Sequence, residues 1–164
     1  MHQLAQQQII FAREYTKSLL ADVPDEQWYQ QPAGCPTNIA WQIAHLAFAQ
    51  YALALMRVRG KEPTDQELIS NDFFKRFKKG SVPPTAAENE FTLAEIRATF
   101  DRVHERTLKE MPTFSEELLA DPLPAPFVAQ ANKLGSLLFC AAHEMLHAGQ
   151  IGLIRRQLGK PPIR

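Results

Sequence analysis

Near the end of the chain, residues 143–147 read His-Glu-Met-Leu-His. This is the H-E-x-x-H spacing with which a helix presents two imidazoles to a zinc ion and a glutamate to the attacking water. Three readings compete: a zinc protease, a metal site of another kind, and two histidines that happen to lie four apart. In a helix, residues i and i+4 project about 40° apart, so His143 and His147 share a face. Gln150 and Ile154 continue that stripe. The opposite face carries Leu134, Leu138, Ala141, Met145 and Ala148, which can pack against other helices or a second subunit.

The protease reading needs a third ligand, typically downstream, and a glutamate poised as general base. Residues 148–164, AGQIGLIRRQLGKPPIR, contain no His, Asp, Glu or Cys. Glu144 lies about 100° round the helix from His143, away from the centre of the stripe. The protease reading is therefore set aside, and Glu144 is expected to be structural or to support a ligand from behind.

A third ligand must come from upstream, where His45 interrupts the apolar run IAWQIAHLAFAQYALALM at 39–56. An imidazole buried there without a partner would be costly, so it calls for a hydrogen bond or a metal. Asn38, Ala49, Ala52 and Met56 share its stripe and Trp41 flanks it; the small side chains of Ala49 and Ala52 leave room for a cavity. If the two helices pack side by side, His45 faces His143 and His147. Three neutral imidazoles on one side of an ion leave positions open, as in a catalytic rather than a closed structural site. Gln150 is read either as a hydrogen-bond partner of metal-bound water or as an interhelical bond. Cys140 is read as a small buried hydrophobe, His104 as a surface or structural residue, and His2 as exposed.

Four helical patterns must position these residues, over about 2–21, 38–59, 92–111 and 134–158. In the first, Leu4, Phe11, Tyr15 and Leu19 form the apolar stripe. The second is apolar nearly all round, with Thr37 or Asn38 to cap it and Gly60 beyond its end. The third opens on Thr92-Leu93-Ala94-Glu95, a capping box. The fourth stops at Gly159 before Pro161-Pro162, with Arg155 and Arg156 at the negative end of its dipole. Residues 61–91 are less regular, and the proline-rich MPTFSEELLADPLPAPF reads as a loop or short extended piece. No segment alternates over a strand length. The fold class is all-α: one four-helix bundle domain spanning 1–164.

Composition bounds the partners. The 164 residues hold 18 Lys+Arg against 18 Asp+Glu, which lacks the basic footprint of a nucleic-acid or membrane-surface protein. The one basic cluster, KRFKKG at 75–80, reads as a solvated loop. Gln42, His45 and Gln50 break the most apolar run, so a buried helix is expected rather than a membrane span. No secretory signal is visible and two cysteines make no disulfide framework, so the expected setting is the reduced cytoplasm.

The helix-two histidine in NIAWQIAHLAFAQ and the sequence HEMLHAGQIGLIRRQLG together resemble the DinB-like four-helix-bundle superfamily. Its members include YfiT-type metal-dependent hydrolases and bacillithiol- and mycothiol-dependent transferases. The shared pattern is histidine, a three-residue gap, histidine, Gly-Gln-Ile and an arginine-rich end; length and helix order fit over nearly the whole chain. The resemblance implies a divalent metal, nickel or zinc, on the positions matching His45, His143 and His147. It also implies homodimers and a small-molecule substrate, with thiol S-transfer using a low-molecular-weight thiol as the leading reaction. Metal-dependent hydrolysis, and a non-catalytic metal-binding role in stress response, are the alternatives.

Overall fold

A computed structural model describes residues 2–125 and 127–163; the side chain of His2 falls outside that set. Four long helices build the bundle: α1 (His2–Leu20), α2 (Ile39–Arg59), α5 (Leu93–Glu110) and α7 (Lys133–Gln157). Three short ones, α3 (Asp65–Leu68), α4 (Asn71–Arg76) and α6 (Glu116–Ala120), lie in the connections. No β-strand occurs among the described residues, so the all-α expectation holds.

The helix ends follow the local chemistry. Asn38 caps α2 by accepting from Trp41 N at 2.9 Å. Thr92 and Glu95 complete the reciprocal capping box of α5. Asn132 caps α7 through Gly135 N at 2.8 Å. Each such cap is worth about 1 kcal/mol. Gly60 and Gly159, with φ of 91° and 83°, take the left-handed turns that release the chain from α2 and α7. The region around 116–120 corrects the sequence reading. Ser115 accepts from Leu118 N at 3.0 Å, which starts a turn of helix in what was expected to be loop.

Contacts between helices give the topology. Arg13 meets Glu144 and Arg155 meets Asp22, so α1 and α7 run parallel. Gln42 meets Gln150, and Ser136 Oγ donates to Leu53 O, so α2 and α7 are antiparallel. Gln50 meets His104 and Arg59 meets Glu110, so α2 and α5 are parallel. The order is up, down, down, up. The core holds Ile39, Ile43, Leu46 and Leu55 of α2, with Ile96 and Val103 of α5 and Leu137 and Ile151 of α7. Both α2 and α7 are long and apolar enough to cross a membrane by length and composition, yet α2 is mostly buried in the bundle and α7 packs one face, including Leu134, Leu137, Ile151 and Ile154, into the core.

The first helix departs from its expected stripe. Leu19 is buried, but Leu4 and Phe11 are 56% and 64% exposed. The inward face is Ala5, Ile9, Ala12, Arg13 and Thr16. Arg13 explains the shift. Its guanidinium, fully buried, donates from Nε to Glu144 Oε1 at 2.8 Å, from Nη1 to Phe100 O at 2.7 Å and from Nη2 to Gln50 Oε1 at 2.7 Å. It also lies 3.4 Å from the centroid of the Phe100 ring. One cation thus binds a group from each of the other three long helices. With Gln50 Oε1 taken by Arg13, its Nε2 faces His104 Nδ1 at 3.1 Å and donates there. Burial, then the charge of Arg13, pushes the imidazole of His104 down to about 3, so it accepts as a neutral ring. His104 is structural, as one of the two expectations had it.

Removing one partner leaves a buried charge uncompensated. Glu144→Ala is expected to cost about 3–5 kcal/mol in a denaturant titration, whereas Arg13→Met with Glu144→Met should recover most of it. A Glu144→Ala protein of wild-type stability would refute the clasp.

Candidate metal centre

The three histidines singled out by their spacing come together. His45 projects from the middle of α2, and His143 and His147 from adjacent turns of the antiparallel α7. Their ring centroids are 4.5 Å apart for His143 and His147, 4.9 Å for His45 and His147, and 5.5 Å for His45 and His143. One nitrogen from each ring lies within 4.8 Å of the other two. Nitrogens sharing a zinc-sized ion at ~2.1 Å stand at most ~4.2 Å apart, so a small rotation of the rings closes the set.

The surroundings assign the tautomers. His45 Nδ1 is 2.8 Å from Phe77 O, an acceptor only, so Nδ1 carries the proton and Nε2 the lone pair. Gln42 donates from Nε2 to Gln150 Oε1 at 2.8 Å and to Thr37 Oγ1 at 3.2 Å, which turns its Oε1 towards His147 Nδ1. His147 is therefore also protonated at Nδ1, with its Nε2 lone pair available. Trp41 stacks on His45 at 4.7 Å and 6° and is itself held by donating to Ser81 Oγ at 2.9 Å. Among the described residues His143 has no hydrogen-bond partner; Phe139 packs beside it at 5.8 Å.

All three rings are held neutral, the form that binds metal. Burial lowers His45 below the usual histidine range. Burial, then His45 and Lys79, push His143 down to about 4. Burial, then the two neighbouring imidazoles, push His147 down to about 3. Neutral and convergent, with His45 and His147 each backed by an oxygen acceptor, this donor set fits a divalent ion, and no carboxylate joins it among the described residues.

The cluster lines a cavity of about 830 Å³. Its wall is mostly apolar: Phe48, Ala49, Ala52, Leu53 and Met56 from α2, and Phe139, Leu146 and Leu153 from α7. Ala49 and Ala52 leave the room expected of them. Tyr51–Met56 is wound as a π-helix, a wider turn that recurs at functional sites, and three of these wall residues lie within it.

The other candidates separate clearly. Glu144 points away from the histidines and is 2% exposed, taken up by Arg13. Gln150 makes the interhelical bond, to Gln42. Cys140 is a buried hydrophobe whose thiol is pushed well above its ordinary range by desolvation. Sequence reasoning missed Gln42, whose signal was available: a glutamine three residues before His45 in an apolar helix. It also read 75–80 as solvated loop, where Phe77 supplies the carbonyl behind His45 and Lys79 reaches the cavity.

Gln42→Ala removes the acceptor behind His147 and is expected to weaken metal binding about 10- to 100-fold in a competitive chelator titration. Unchanged affinity would show that the hydrogen bond does no work for the site.

No curated protein matches the chain. The family model of the DinB superfamily matches residues 8–151, which include all three histidines of the cluster. That match spans most of the chain, and the chain belongs to the DinB superfamily.

Proposed function

We propose that this protein is a metal-dependent enzyme acting on a low-molecular-weight thiol, with His45, His143 and His147 holding nickel or zinc. The observation that carries the reading is the setting of the cluster. It opens on a substrate-sized cavity whose described lining contains no Asp or Glu. A closed structural site would instead have its fourth position filled by the protein.

When bound, a divalent ion supplies Lewis acidity that lowers the pKa of a thiol and favours its thiolate. The chain's own residues do the rest. Phe77 O and Trp41 fix the plane of His45, and Gln42 fixes His147, so the lone pairs are aimed before anything binds. The apolar wall excludes water and positions an electrophile. Hydrolysis by an activated water would be served by a carboxylate base, and Glu144, the glutamate of the H-E-x-x-H stretch, is committed to Arg13. This favours thiol transfer over the hydrolase reading. A non-catalytic metal-binding role gives no account of so large a cavity.

The proposal includes a cytoplasmic homodimer. Leu4 and Phe11 of α1, with Leu146 and Leu153 of α7, are exposed apolar side chains on neighbouring helices. Sedimentation at micromolar concentration is expected to show dimers; monomers throughout would count against them.

Elemental analysis of untagged protein is expected to find about one ion per chain, and His147→Ala to lose it. Metal binding should also change the fluorescence of Trp41, stacked on His45, in a Trp28→Phe background. Turnover should appear with small thiols and alkyl electrophiles. Cleavage of esters or amides without thiol would replace this reading with hydrolysis.

A further inference from the structure

The hydrogen bonds behind His147 form a chain with a direction, and the chain ends inside the cavity. His147 keeps its Nε2 lone pair for an ion only when Nδ1 carries the proton, so Gln42 must face it with Oε1. Gln42 Nε2 is then turned the other way, and both of its hydrogens are used. One goes to Thr37 Oγ1 at 3.2 Å and one to Gln150 Oε1 at 2.8 Å. Gln150 therefore commits its oxygen to Gln42. Its Nε2, with two hydrogens, has no partner among the described residues. Gln150 is exposed and lines the cavity, three residues beyond His147 on α7. Other donors of this wall are turned to the protein: Trp41 Nε1 donates to Ser81 Oγ, and His45 Nδ1 to Phe77 O. A glutamine free to rotate offers a donor or an acceptor equally well. This one is held by its oxygen and offers only N–H.

We propose that Gln150 is a specificity-determining residue of the cavity: its amide N–H group donates to a carbonyl oxygen of the bound molecule, beside the histidines. The inference rests on reading this cavity as an enzyme's substrate site, and it adds the functional group that the substrate carries there. A carbonyl oxygen only accepts, so it complements a group that only donates. Most of the surrounding wall is apolar, and in such a setting a few placed polar groups fix a ligand's orientation. A carbonyl that enters without a donor loses the hydrogen bonds it had in water, so a match at this point is favoured and a mismatch is penalised. The chain also makes its two ends interdependent. Holding His147 Nε2 free for an ion fixes the proton on Nδ1, which fixes Gln42, which fixes the end of Gln150 that faces the ligand.

Two substitutions separate this role from a purely structural one. Gln150→Glu retains an oxygen for Gln42 and puts a second oxygen in place of the N–H group; Gln150→Leu removes both. Three probes are titrated calorimetrically into metal-loaded protein whose metal content has been measured. N-acetylcysteamine carries a thiol and an amide carbonyl. The n-pentanethiol molecule has the same chain length without the carbonyl, and N-propylacetamide has the carbonyl without the thiol. Gln150→Leu is expected to weaken both amides about fivefold and n-pentanethiol less than about twofold. Gln150→Glu, whose added charge acts on both thiols alike, should lower the affinity of N-acetylcysteamine relative to n-pentanethiol about tenfold. Equal shifts of the two thiols in Gln150→Glu would overturn the inference and leave the thiol reading standing. If neither thiol binds, N-propylacetamide decides. Its weakening in both variants would support the inference while refuting the thiol reading, and unchanged binding, or none at millimolar concentration, would overturn both.

Discussion

The bundle is organised around one buried cation. A guanidinium presents five donors in a rigid plane, and in the interior each unsatisfied one is costly. Arg13 meets this demand only where Glu144, Phe100 O and Gln50 converge, which requires α7, α5 and α2 to stand at one level beside α1. Hydrophobic contacts between helices tolerate sliding; this cluster does not. It is costly as a source of stability, since a well-packed apolar replacement would do as well. What it supplies is register. His143 precedes Glu144 by one residue and His147 follows it by three, while His45 lies five residues before Gln50. Fixing Glu144 and Gln50 on one cation therefore sets the level at which the imidazoles of α2 and α7 meet.

This division explains why the H-E-x-x-H match misleads. In a zinc protease the glutamate and both histidines serve one centre. Here successive residues of α7 face different environments: Glu144 turns into the polar core, and His143 and His147 turn towards the cavity. The glutamate's charge is matched before any metal arrives. Its spacing matches the protease motif, but its partner is 131 residues away, on α1.

Much of this was legible in the sequence because it follows from local rules. The capping box at Thr92, the stops at Gly60 and Gly159 and the 3.6-residue periodicity mark the helices. An imidazole in the apolar run of α2 needs a partner, which pointed to His45. The failures have a common cause. Leu4 and Phe11 looked like a buried stripe because side-chain polarity was taken to predict burial, yet Arg13 and Thr16 are completely buried and these two are exposed. Burial of Arg13 depends on acceptors from three distant helices, and no window around residue 13 contains them. Phe77 contributes to the site through a backbone carbonyl, which any residue has, so its type carried no signal. Lys79 sat in a run of basic residues that resembles an ordinary solvated loop.

The electrostatics of the site reduce to one asymmetry. Catalytic centres that include a carboxylate ligand offset part of an ion's charge with the protein's own. Three neutral imidazoles offset none of it, and desolvation strengthens what is left. Lys79, which lines the same cavity, adds its positive charge on the side of His143. A site built this way would hold a cation only through lone pairs.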